Sequence, residues 1–224
     1  MDCELRLHLD RFEPGSASAP LAGTIATALY VVDGALAMRS GDGGTSATLG
    51  PNSATSASPD TRIGSGALPA RVLRWDLVEA GAPDGDISRA ASSERLLAAE
   101  MRFDAGAGYL LRCDRVDFPA GGEALLHTHQ GGGIRCLLFG SMRIETQGTV
   151  HDYAPMHAWF EAGPAPVYAA ADARVPSAFA RVMILPRALL GGTSSIRYVR
   201  PEDLDRPKSQ RYQLFVDQPI AWPR

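Results

Sequence analysis

The chain has 224 residues, enough for one large domain or two small ones. Apolar residues make up 45% and charged residues 21%, the balance of a soluble globular protein. A net charge of −3 and a pI near 5.9 give no electrostatic case for nucleic acid or an anionic membrane surface, and no apolar run approaches the roughly 18 residues of a membrane span.

The N-terminal MDCELRLHLDRF alternates charged and apolar residues and lacks the apolar stretch of a signal peptide, so a cytoplasmic protein is expected. Cys3, Cys113 and Cys136 form an odd set without CxxC spacing and read as reduced thiols. Short β-branched or apolar runs then follow one another, separated by Gly, Pro, Asn and Asp: ALYVVDG (28–34), ARVLRWDLV (70–78), YLLRCDRVDF (109–118), IRCLLFG (134–140) and FARVMILP (179–186). They predict an all-β fold. Helical signal is confined to ISRAASSERLLAAEM (87–101) and a proline-led turn at PEDLD (201–205).

The chain repeats itself at a shift of 106 residues, which lays Phe12 on Phe118, Gly15 on Gly121 and Gly34 on Gly140. Further on, PARVLRWDL (69–77) meets AFARVMILP (178–186), with the shift drifting as loop insertions would make it. The expected organisation is an N-terminal β-unit over 1–80, a short helical connector over 81–106, a second β-unit over 107–190 and a tail over 191–224.

The second unit holds GEALLHTHQGGGIRCLLFG (122–140). His127 and His129 stand two apart, so on a strand both imidazoles face one point, which suits an N-ligated divalent metal. The same shift carries them onto Leu21 and Gly23, so any chemistry belongs to the second copy. Two histidines alone hold a metal weakly, and Glu161 in WFEAGP is the best third donor; Glu123, Gln130, His151 and His157 are the alternatives. Counting from Gly133, strand parity points Arg135 toward the same site. There it pairs with Glu161 or binds a ligand carboxylate bidentately, unless Gly131–Gly133 turn it to solvent. Trp159 and Tyr168 are candidate walls for a flat ligand. The three glycines lack the strand–loop–helix context of a phosphate-binding loop. In the tail, YQLFVDQPI (212–220) alternates like a late strand that pairs with another sheet edge, of the first copy or of a neighbouring subunit in a homodimer.

Gly121, His127, His129 and Gly140 resemble the first motif of the cupin superfamily, G-x5-H-x-H-x3,4-E-x6-G, with Gly133 where a glutamate ligand is usual. The second motif, expected within 154–169, supplies no histidine: its ligand position falls on Pro166 or Phe160 depending on register. The resemblance implies two jelly-roll β-barrels in tandem, a bicupin with a degenerate metal site. It implies either of two functions. One is a mononuclear metal enzyme of the Fe(II) oxygenase type acting on a small organic acid or carbonyl compound, with Fe, Mn, Ni or Zn held by His127, His129 and Glu161 and an anionic substrate oriented by Arg135. The other is a non-enzymatic binding or structural module without catalytic metal.

Overall fold

The computed structural model describes residues 1–41, 46–85, 91–104 and 106–222. It divides into two compact units, Met1–Ala107 with Ile220–Arg224, and Gly108–Pro219.

Unit 1 contains β1 (Asp2–Phe12), β2 (Ala26–Arg39), β3 (Ser46–Leu49), β4 (Ala54–Ala57), β5 (Arg62–Glu79) and β6 (Ala91–Arg102). They form one sheet in the order β3-β2-β5-β1-β6, with β4 also paired to β2. Its core gathers Phe12, Leu29, Val31, Leu36, Ile63 and Val72. Of the segment expected as helix over 87–101, residues 86–90 lie outside the described residues, and the described part is strand β6, paired with β1 from Phe12↔Ala91 to Asp2↔Arg102. Leu, Ala, Glu and Arg favour helix locally, but the open edge of β1 has backbone groups to satisfy, and the sheet decides.

Unit 2 contains β7 (Tyr109–Phe118), β8 (Glu123–His129), β9 (Gly133–Phe139), β10 (Met142–Thr146), β11 (Thr149–Tyr153), β12 (Ala158–Glu161), β13 (Val167–Ala171), β14 (Ser177–Pro186), β15 (Ile196–Tyr198) and β16 (Arg211–Pro219). Two five-stranded sheets, β11-β10-β13-β8-β15 and β12-β9-β14-β7-β16, enclose a core of Val116, Phe118, Leu137, Ile144, Val167 and Phe179. A 3-10 turn at Pro201–Asp203 begins on its proline. The late strand predicted in the tail is β16, but the edge it takes is neither the first copy's nor a second subunit's: it pairs with β7 of its own unit, whose outer side is open.

Both units use one pairing scheme. His8↔Arg74 in β1/β5 corresponds to Asp114↔Arg181 in β7/β14, at shifts of 106 and 107 residues. Tyr30↔Leu73 corresponds in the same way to Cys136↔Ala180, and the register slip after Val31 recurs after Leu137. Gly34 and Gly140 both have positive φ, +74° and +79°. A Cβ on either would collide with a backbone oxygen, Pro69 O at 1.9 Å or Pro176 O at 2.5 Å, so both the turn and the close approach require glycine.

Candidate functional site

β8 is buried at every second position from Leu125, and this parity turns His127 and His129 into unit 2 at 5% and 4% exposure. His127 Nδ1 lies 2.6 Å from the Leu125 carbonyl. That bond places its proton on Nδ1 and leaves Nε2 as an acceptor, 3.1 Å from His129 Nε2. His129 Nδ1 is 3.3 Å from Ser195 Oγ. Gly131 and Gly133 lie where β14 comes closest: a Cβ on either would stand 2.1 or 2.2 Å from the Ile184 or Val182 carbonyl oxygen. The glycine cluster is thus a packing device and does not turn the next strand outward. Arg135 has 0% exposure and faces inward.

Glu161 ends β12 and pairs with Gly133. Its carboxylate gathers three groups. Trp159 Nε1–H donates to Oε1 at 2.8 Å, His129 Nε2 stands 3.2 Å from Oε2, and Arg135 Nη2 stands 2.7 Å from Oε2. The Arg135 approach is an ion pair without hydrogen-bond alignment. Nη1 donates to the Gly133 carbonyl at 2.6 Å, while Nε and Nη2, both buried, have no hydrogen-bond partner. Burial would raise the Glu161 pKa, but the Arg135 charge, His129 and the Trp159 N–H together hold it far below the carboxylate range. Burial pulls Arg135 down to about 10, with Glu161 opposing, so both partners are charged at neutral pH. Burial also pushes His129 down to about 3 and His127 below its usual value, so both imidazoles are neutral.

Sequence reasoning missed Arg181 and Asp114. Arg181 lies directly opposite Arg135 in the β14/β9 pair and opposite Asp114 in the β14/β7 pair. Its Nε and Nη2 donate to the two Asp114 oxygens at 2.6 and 3.1 Å. Its guanidinium carbon lies 6.0 Å from the Phe179 ring and 5.7 Å from the Tyr212 ring. A narrow cavity of about 20 Å³, the room of one water, touches His127, His129, Arg135, Glu161 and Arg181. A larger pocket of about 280 Å³ adjoins it, sharing Arg181, Ile196 and Tyr212 and walled by Tyr198, Ser195 and Leu214. The repeat as read from the sequence, 69–77 on 178–186, lays Arg181 on Val72; strand pairing corrects this by two residues, setting Arg181 on Arg74 and showing which residue each one faces.

The remaining predicted residues fall elsewhere. Tyr168 does not join the site: Val167 and Ala169 are the inward residues of β13, so alternation turns Tyr168 outward, where its hydroxyl donates to Glu123 Oε2 at 2.7 Å. Trp159 is buried among Tyr153 and Phe179 and braces Glu161 without walling either cavity. Glu123 also meets Arg206, and Gln130 accepts from Arg197. His151 and His157 are exposed.

No family model and no curated protein matches the sequence. Solved structures do. AerE from Microcystis aeruginosa is similar over 81% of this chain and 88% of its own, with a TM-score of 0.61 and 11% identity. A point mutant of Bacillus subtilis oxalate decarboxylase OxdC matches over 90% and 73%, with a TM-score of 0.62 and 11% identity. The Lactobacillus farciminis oxalate decarboxylase formate complex matches over 90% and 82%, with a TM-score of 0.62 and 10% identity. This chain has the cupin fold. At such identities the likeness extends to the fold alone.

Mn(II) centres are described for the Bacillus subtilis oxalate decarboxylase. The donors of this chain do not fit a metal as they stand. Among the described residues no set of three or more His, Cys, Asp or Glu is placed to hold one. The carboxylate nearest the imidazoles is occupied by a guanidinium. A glutamate at Gly133, where the motif this stretch resembles has one, would need β14 to move, because its Cβ would lie 2.2 Å from the Val182 oxygen. Among the described residues no helix is long and apolar enough to cross a membrane.

Proposed function

We propose that this protein is a bicupin, two copies of one cupin-type unit, whose second unit binds a small organic anion without a catalytic metal. One observation carries the reading: Arg135 is fully buried, with its charge balanced by Glu161 and two N–H donors left without a hydrogen-bond partner beside a cavity. A carboxylate or carbonyl oxygen satisfies such donors, and a divalent cation is repelled by the same guanidinium. His127 and His129, both neutral, supply a polar wall, and Trp159 fixes the Glu161 carboxylate. The free, buried cysteines suit a cytoplasmic location, and a homodimer through exposed sheet edges is the expected assembly.

Elemental mass spectrometry on tag-free protein tests the metal, after loading with Fe(II), Mn(II), Ni(II) or Zn(II) and dialysis. The reading expects far less than one metal per chain; stoichiometric metal removed by His127→Ala with His129→Ala would sink it. The facing Nε2 atoms of His127 and His129, 3.1 Å apart, favour a second reading, a metal-dependent oxygenase acting on a small organic acid or carbonyl compound. That reading requires Arg135 to leave Glu161, so the same measurement decides between the two.

A further inference from the structure

Arg135 and Arg181 form a directly opposed like-charged pair on neighbouring antiparallel strands, with exposures of 0% and 5%. Like charges so placed destabilise a sheet unless something negative stands near both. Glu161 serves Arg135 and Asp114 serves Arg181, each from one side. The donors left over are Nε and Nη2 of Arg135 and, among the described residues, Nη1 of Arg181, whose hydrogen bonds use only Nε and Nη2. The other cations of the outer pocket are already engaged. Arg112 bonds to Asp217 and to the Thr193 and Leu189 carbonyls, and Lys208 bonds to three carbonyls and lies over the Tyr198 ring. Arg181 therefore stands where the narrow cavity meets the outer pocket, with one donor in reserve.

We propose that Arg181 is the residue that receives the ligand's charge, and that the ligand is a monocarboxylate with an apolar, ring-sized body. The carboxylate enters first, toward the gap between Arg181 and Arg135. The body stays in the outer pocket against Ile196, Tyr198, Tyr212 and Leu214, whose surfaces are mostly hydrocarbon. A dianion is disfavoured, because Asp114 stands on the pocket wall and the pocket's remaining cations are saturated. This inference rests on the reading that unit 2 binds a small organic anion.

The experiment is calorimetric titration of the full chain with phenylacetate, phenylacetamide and acetate. Phenylacetate should bind at least about tenfold more tightly than acetate, and phenylacetamide should give no heat. Arg181→Gln should weaken phenylacetate about 10- to 100-fold. Since that change strands Asp114, Arg181→Gln with Asp114→Asn is run beside it, removing both charges together. Leu214→Trp, at a half-exposed position on the pocket wall, should abolish the preference for phenylacetate and leave acetate binding intact. The inference is overturned if the double variant binds phenylacetate as the parent does, or if Leu214→Trp keeps the preference. Should no carboxylate, acetate included, bind the parent chain, the anion reading itself fails. Should carboxylates bind and be lost in Arg135→Lys but not in the Arg181 variants, only this inference fails.

Discussion

Arg74 in unit 1 and Arg181 in unit 2 occupy one position in the shared pairing scheme, yet their surroundings differ. Arg74 is saturated: Nε and Nη2 meet Asp10, Nη1 meets Asp76, and Ser93 Oγ adds a further contact at 3.3 Å. Thr27 in turn donates to Asp76 at 2.8 Å. At the corresponding positions of unit 2 stand Val116, Met183 and Gly133, and a single carboxylate, Asp114, stands where unit 1 has His8. Leu29, the cross-strand neighbour of Arg74, becomes Arg135 beside Arg181. On β4, Ala57 pairs with Thr27 as Glu161 pairs with Gly133. One backbone scheme thus supports two interiors. In unit 1, carboxylates close every donor of the buried arginine. In unit 2 two guanidiniums divide two carboxylates, Glu161 and Asp114, between them, and Nε and Nη2 of Arg135 are left without hydrogen-bond partners.

Breaking each interior measures this difference. Arg74→Gln should cost about 3–5 kcal/mol in chemical denaturation, because Asp10 and Asp76 lose their counter-charge in a buried site, and should leave ligand affinity unchanged. Arg135→Leu, which gives unit 2 the residue of unit 1, should cost about as much by stranding Glu161. Adding Glu161→Ala should return most of that stability; a double variant as unstable as the single one would show that the two do not act as a pair.

Acid should act on unit 2 next. The unfolded chain protonates His129 near its ordinary 6.5, whereas the folded chain resists until about 3. Unfolding takes up a proton in that window, so stability is full above it and falls as pH drops through it. Glu161, held below its ordinary value, adds loss in the same direction as pH falls through and below the usual carboxylate range. Melting temperature should therefore drop from about pH 6.5 downward, and His129→Gln should flatten the slope; an unchanged slope would place the acid sensitivity elsewhere.

Finer changes sharpen the site. Arg135→Lys keeps the charge but loses the planar fork, so acetate affinity should fall about tenfold or more while metal content stays unchanged. The smallest effect belongs to Tyr168→Phe, which removes one hydrogen bond to Glu123 on the outer face and should cost about 0.5–1.5 kcal/mol with no change in ligand binding.

Much of the strand content was legible in the sequence, because strands declare themselves by alternation. β7 matches its predicted run end to end, and His127, His129 and Arg135 point where parity sends them. What stayed hidden depends on long-range pairing. β6 reads as helix because its residues favour one, until β1 offers it an edge. Tyr168 looks like a pocket wall until β13 is placed and its parity counted. Arg181 is an ordinary strand arginine until β9 sets Arg135 beside it.

The pairing of β16 with β7 has a kinetic consequence. β7 gains its second neighbour only from residues about a hundred positions further along, and at ribosomal speeds of about 5–20 residues per second that strand waits several seconds with one side open. An open strand carrying Leu110, Leu111, Val116 and Phe118 is a template for the wrong partner. Arg112, Asp114, Arg115 and Asp117 are interleaved along it, and charges so spaced discourage pairing with another chain during the wait. Arg112 and Asp114, which line the outer pocket in the folded unit, are thus also among the charges that work against mispairing of the nascent strand.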